Sequence, residues 1–211
     1  MIRLGVPTGR LWPHSRDLLR GLGFVVENHP RRYVFHRPAC DIEALALKVP
    51  DLPAAIGDGL VDFAVGSDEW IAEHGCTCLP LMPLCWYHVR ICLLAPTDRT
   101  CAGDGPVSVA TPYPRLTERL VPEAGTIRTV AGSAEVYPGR LTDLAVDCVE
   151  TGTTAAANQL QKVRELLRCD VRLIARPGTD LTDPIALQII AAAHATSADP
   201  DCCYATAARP V

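Results

Sequence analysis

Short apolar runs alternate along this chain with amphipathic stretches of helical spacing, and that alternation admits few architectures. A strand followed by a helix and another strand builds a largely parallel sheet with helices packed on it. Residues 3–6, 33–35, 44–48 and 63–65 read as strands. Residues 13–21, 53–58 and 69–73 read as helices, with Gly59 the C-cap of the second. After a strand at 89–95 comes a polar, glycine-containing stretch, 97–105, of the kind that joins domains. Beyond it, 107–110, 127–130 and 144–149 read as strands and 113–120 and 154–167 as helices. A strand at 171–175 and a helix at 183–194 then return to the first part. The expected fold is α/β, in two α/β domains: residues 1–95 with 176–211, and residues 96–175.

Composition removes several functional classes. With 48% apolar and 21% charged residues in 211, the chain can bury an ordinary core, so a disordered chain is excluded. A net charge of −4 argues against broad electrostatic binding of nucleic acid, so any phosphate site must be local. No apolar stretch approaches the roughly 20 residues of a membrane-spanning helix, and the N-terminus lacks an export signal. The expected location is the cytoplasm. Ten cysteines are scattered through the chain and read as free thiols rather than as a disulfide framework. His74, Cys76 and Cys78 could form half of a zinc site, but no second Cys pair matches them, and no metal-ligand set is assigned.

The segment 144–154, Leu-Ala-Val-Asp-Cys-Val-Glu-Thr-Gly-Thr-Thr, carries the sharpest chemistry. An apolar strand ends in acids, then in a Thr-Gly-Thr-Thr turn, then in a helix whose Leu160, Val163, Leu166 and Leu167 share one face. Successive N–H groups of such a turn, with the helix N-terminus behind them, cradle a phosphate. The hydroxyls of Thr151, Thr153 and Thr154 add donors. Asp147 and Glu150 can accept hydrogen bonds from sugar hydroxyls. Taken alone, the same string could also be no more than a helix cap.

Here the chain resembles the catalytic subunit of ATP phosphoribosyltransferase, whose loop reads Asp-hydrophobic-Val-Glu-Thr-Gly-x-Thr-Leu. Asp147, Val149, Glu150, Thr151, Gly152 and Thr154 match it. Six further segments resemble the family's in the same order. They are Val6-Pro7-Thr8-Gly9-Arg10-Leu11, the strand from Arg31 to Phe35, Lys48-x-x-Asp51-Leu52-Pro53, and Gly59-x-x-Asp62-Phe63-x-Val65-Gly66-x-Asp68. Val109-Ala110-Thr111-x-Tyr113-Pro114 and Gly132-Ser133-Ala134-Glu135 complete the set.

The resemblance implies two domains of the type-II periplasmic-binding-protein kind with the active site in the cleft between them. It implies transfer of the phosphoribosyl group of phosphoribosyl pyrophosphate to N1 of ATP, with Mg²⁺ and basic side chains stabilising the departing pyrophosphate. The implied donor site is Asp147, Glu150, Thr151, Gly152, Thr153 and Thr154. Arg10, Arg31 and Lys48 take the pyrophosphate, or Arg31 and Lys48 are ordinary surface charges. Glu135 either meets the acceptor base or caps a helix. A length of 211 residues matches the family's short form, which works with a histidyl-tRNA-synthetase-like regulatory subunit and is expected to be a homo-oligomer.

Departures from the pattern leave two other readings open. Thr8 stands where the family has Lys, and Lys48 where it has Arg. Leu84-Cys85-Trp86-Tyr87-His88-Val89-Arg90 replaces Leu-Gly-Phe-Gly-x-Cys-Arg, and the segment 137–143 runs one residue short. A diverged enzyme could therefore offer the same donor to another nitrogen nucleophile in specialised metabolism. A non-catalytic binder of the same fold is the third reading, which fold alone never excludes.

Overall fold

The computed structural model describes residues 1–26, 32–37, 41–98 and 105–197, and divides the chain into two compact units. The first takes Met1–Tyr87 and the chain from Asp170 on; the second is His88–Cys169. The divisions fall inside two long strands rather than in the polar stretch after residue 97 or at residue 175.

In the first unit, β1 (Ile2–Pro7) lies between β3 (Ile42–Leu47) and β4 (Phe63–Ser67), parallel to both. β2 (Val34–His36) adds antiparallel to β3. The helices α1 (Trp12–Gly21), α2 (Asp51–Gly57) and α3 (Asp68–His74) follow β1, β3 and β4 respectively. Leu4, Val6, Ile42, Ala44, Phe63 and Val65 pack on one face with Leu18 and Leu19 of α1, and Leu52 and Ile56 of α2 cover the other with Ala64. Gly5 is required in β1, because a Cβ there would stand 2.8 Å from the Leu52 side chain. The helix α6 (Pro184–Thr196), capped by the Asp183 carboxylate accepting from the Ile185 and Ala186 N–H groups, packs against α1.

Two acids of the motif-bearing segments hold this unit together. Asp62 accepts from the Arg3 N–H at 3.0 Å and pairs with Arg176. Asp68 accepts from the Asp170 N–H at 3.0 Å and pairs with Arg172. Among the described residues, Cys76, Cys78, Cys85, Cys92, Cys148 and Cys169 are in no disulfide. Burial, then the neighbouring Cys76 thiol, push the Cys78 thiol up to about 11.

The second unit repeats the parallel theme. β6 (Val107–Thr111) runs parallel to β7 (Ala124–Thr129) and β8 (Leu144–Val149), and α4 (Pro114–Leu120) connects β6 to β7. The long strand β5 (Leu79–Pro96) pairs antiparallel with β8 over residues 90–94. The buried Thr111 hydroxyl accepts from the Tyr113 N–H at 2.9 Å, so that segment's sequence match reflects a turn.

The helix expected at 154–167 is corrected. Only α5 (Thr153–Ala157) is helical; Gln159 takes a left-handed φ of 58°, and Leu160–Ala175 form a second long strand, β9. Residues 160–168 are good helix formers at helical spacing, yet Val163 is exposed and the face read as apolar is not a buried helix face. Pairing along β9, with β5 and with β4 at residues 171–175, outweighs that local preference.

Cys85 in β5 sits at φ 51°, a left-handed conformation that a Cβ disfavours by roughly 1–2 kcal/mol. In an ordinary strand alanine outranks glycine. Here Cys85→Gly should be more stable than Cys85→Ala by about 1 kcal/mol. Urea unfolding of the two variants checks this, and an alanine variant at least as stable would refute it.

Candidate active site

At the carboxyl end of β8 the chain turns through Glu150, Thr151 and Gly152 into α5. Gly152 has φ 84°, the left-handed conformation that carries the chain from the turn into α5, and the Thr153 N–H donates back to the Thr151 hydroxyl at 3.4 Å. Thr151, Thr153 and Thr154 are exposed, and the Thr151 and Thr153 hydroxyls lie 2.9 Å apart in a mutual hydrogen bond. The α5 helix is five residues long, so a cradle here rests on local N–H groups and hydroxyls, not on a long helix dipole. From β5, Arg90 Nη2 donates to the Glu150 carbonyl at 3.0 Å and braces the turn. The sequence reading assigned Arg90 no role; its place in the 84–90 pattern was the available signal.

Behind the turn lies a pair of carboxyl groups. Asp147, on β8, accepts from the Cys148 N–H at 2.7 Å and from the Ala134 N–H at 3.1 Å. Glu135, buried in the one-turn helix at 134–136, hydrogen-bonds to it. Burial first, then the Glu135 charge and hydrogen bond, push the Asp147 carboxyl from its ordinary value near 3.8 up to about 7. The two backbone donors act in the opposite direction and do not prevail. The pair therefore holds a proton well above the usual carboxylate range. The segment leading to Glu135 passes through Ser133 at φ 53°, a strained conformation that sets Ala134 N–H against Asp147. Sequence reasoning gave these acids separate roles and missed that they meet. An aspartate within the apolar run of β8 was the clue, since a buried acid demands a partner.

The basic residues belong to the first unit. Pro7 of β1 is the register partner of Leu47 of β3, and the Thr8 N–H donates to the Leu47 carbonyl at 2.7 Å. Thr8, Arg10 and Lys48 thus follow the carboxyl ends of two parallel, paired strands, the end at which open α/β sheets take ligands. Arg10 and Lys48 are exposed, and the Arg10 guanidinium lies over the Tyr87 ring, 4.7 Å from its centroid. Arg31 lies outside the described residues. No group of three or more His, Cys, Asp or Glu able to hold a metal occurs among the described residues, and no described helix is long and apolar enough to cross a membrane.

Comparison with known proteins follows this geometry. A family model described as HisG, ATP phosphoribosyltransferase, matches residues 48–193. ATP phosphoribosyltransferase of Methanopyrus kandleri is 32% identical over 87% of the chain and 67% of its own length; that of Parabacteroides distasonis is 29% identical over 83% and 65%. The chain thus spans about two thirds of the length of these curated relatives. Among solved structures, the ATP phosphoribosyl transferase (HisG:HisZ) complex from Thermotoga maritima aligns with a TM-score of 0.81 at 22% identity, covering 92% of this chain and all of that one. The glutamate-bound GluR0 ligand-binding core from Nostoc punctiforme aligns at 0.56 and 15% identity over 93% and 95%. The fold is that shared by these proteins: α/β, in two units of periplasmic-binding-protein type.

Proposed function

Because the chain belongs to the ATP phosphoribosyltransferase family, we propose that it transfers the phosphoribosyl group of phosphoribosyl pyrophosphate to N1 of ATP, the opening step of histidine biosynthesis. The turn at Gly152, with the Asp147–Glu135 pair behind it, carries this reading: the exposed hydroxyls and backbone of a left-handed turn suit a 5′-phosphate, and acids suit ribose hydroxyls. The N1–C1′ bond forms as the bond from C1′ to the pyrophosphate oxygen breaks, so positive charge grows on the ribose while negative charge grows on the leaving group. Thr151, Gly152, Thr153 and Thr154 hold the phosphate, Asp147 and Glu150 the ribose, and Arg10, Lys48 and Arg31 the pyrophosphate. Fixed cations aimed at the leaving oxygens favour the transition state over the ground state.

Magnesium fits as part of the substrate rather than as a resident ion. The described residues offer no ligand cage, and Mg²⁺ characteristically keeps its waters and phosphate ligands. A reaction on phosphorylated metabolites, which cells keep in the cytoplasm, supports a cytoplasmic location. The T. maritima HisG:HisZ complex supports a separate partner subunit, and the family resemblance supports a regulatory subunit like histidyl-tRNA synthetase and a homo-oligomer.

The diverged-acceptor reading keeps one specific support: Tyr87 occupies a position where the family pattern has glycine, and it engages Arg10. One experiment separates the readings. Since Thr8 and Lys48 follow paired strands, Thr8→Lys with Lys48→Arg should raise kcat/KM for ATP severalfold, through a charge-assisted contact and a bidentate fork. Pyrophosphate release is the readout. Efficient ATP use by the native chain with no gain on reversion removes the diverged reading; negligible native use with a large gain supports it. No ATP-dependent release from any variant refutes the proposed function.

A further inference from the structure

Two consecutive aromatic residues, Trp86 and Tyr87, face the segment that follows β1. The His14 ring stacks on Trp86 with centroids 5.3 Å apart and planes 17° from parallel, while the Arg10 guanidinium lies 4.7 Å above Tyr87. Arg10 and His14 are four residues apart across the turn from the one-turn helix at 9–11 into α1, the spacing that puts side chains on one face. Successive strand residues normally point to opposite sides, but the left-handed Cys85 breaks the pleat just before this pair. Trp86 is itself anchored, its Nε1 donating to the Thr196 carbonyl at 2.9 Å. All these residues belong to the first unit, so the wall is intact within it.

An exposed arginine has many rotamers, and ordering it when an anion arrives costs side-chain entropy. An aromatic face that already holds the guanidinium reduces that cost without competing with oxygens, because cation–π contact uses the plane and hydrogen bonding uses the rim. We propose that Tyr87 is a positioning residue that presents the Arg10 guanidinium edge-on to the diphosphate of the donor. The inference rests on the reading that Arg10 meets that diphosphate, and it adds a residue at a position where the family pattern has glycine. The wall has a second consequence. A ring at position 87 fills space that glycine leaves open, so the diphosphate is met by a pre-set arginine rather than by a flexible one.

A double-mutant cycle tests this in the whole protein. Binding of phosphoribosyl pyrophosphate with Mg²⁺, and of inorganic pyrophosphate, is measured by calorimetry for the native chain, Tyr87→Leu, Tyr87→Phe, Arg10→Ala and Arg10→Ala with Tyr87→Leu. Tyr87→Leu should weaken both ligands about twofold to fivefold, as an exposed cation–π contact allows, while Tyr87→Phe stays near native. In the Arg10→Ala background, Tyr87→Leu should have no further effect. Equal loss in both backgrounds, or loss in Tyr87→Phe as large as in Tyr87→Leu, overturns the positioning role, since damage to packing does not depend on Arg10. If Arg10→Ala itself leaves binding unchanged, the assignment of Arg10 to the diphosphate fails instead.

Discussion

Gly152→Val should cost the protein tenfold or more in affinity for phosphoribosyl pyrophosphate while leaving it folded. The reason is conformational rather than steric. A Cβ at Gly152 would have as its nearest neighbour Val149 Cγ1, at 4.0 Å, so there is room for it. But at φ 84° a β-branched side chain pays about 1–3 kcal/mol to stay in place, roughly fivefold to a hundredfold in a binding constant. An exposed turn at the head of a five-residue helix will relax out of that conformation and turn its N–H groups away from the ligand. Gly152→Ala should fall between the native chain and the valine variant. Calorimetry with the donor and Mg²⁺, alongside thermal unfolding, measures both quantities. A folded valine variant that binds as the native protein does would remove this loop from the donor site.

The order of strands and helices was legible because their lengths and apolar spacing agree with their neighbours. The exception, residues 154–167, shows where such reading stops. Leu160, Val163, Leu166 and Leu167 satisfy a helical period, and the competing signal is non-local: partner strands β4 and β5 lie far away in sequence. The long strands hide the unit divisions for the same reason, since no glycine- or proline-containing linker marks 87–88 or 169–170. At the site, the Gly152 turn could be read directly because a left-handed residue favours glycine. That Asp147 and Glu135 share a hydrogen bond could not, because it depends on how a loop at 132–135 folds onto β8. Nor does spacing show that Tyr87 meets Arg10; 77 residues and a strand irregularity separate the two facts.

The carboxyl pair should give the protein a stability that falls as pH rises from about 4 to about 7. Asp147 binds its proton more tightly in the folded chain, up to about 7, than at its ordinary value of 3.8, so within that window folding takes up a proton. Stability then decreases with pH wherever the folded state holds more protons than the unfolded one, and levels off once both are ionised. Asp147→Asn keeps the shape of the side chain and removes the titration. Its urea midpoint should match that of the native chain near pH 4 and exceed it at pH 8, with the gap opening through the window between. Glu135→Gln should do the same in part, since the Glu135 charge is, after burial, the larger of the remaining upward causes of the shift. The measurement is a set of unfolding curves from pH 4 to 8.5 for the three proteins. A constant offset between native and Asp147→Asn would mean that Asp147 ionises normally in the fold. The same titration has a functional side: ribose hydroxyls donate best to carboxylates, so donor affinity should rise through pH 7 in the native protein, opposite in direction to its stability. Under the proposed function Asp147 accepts from a ribose hydroxyl as a carboxylate, so its proton leaves as the donor binds and the two pH effects run in opposite directions.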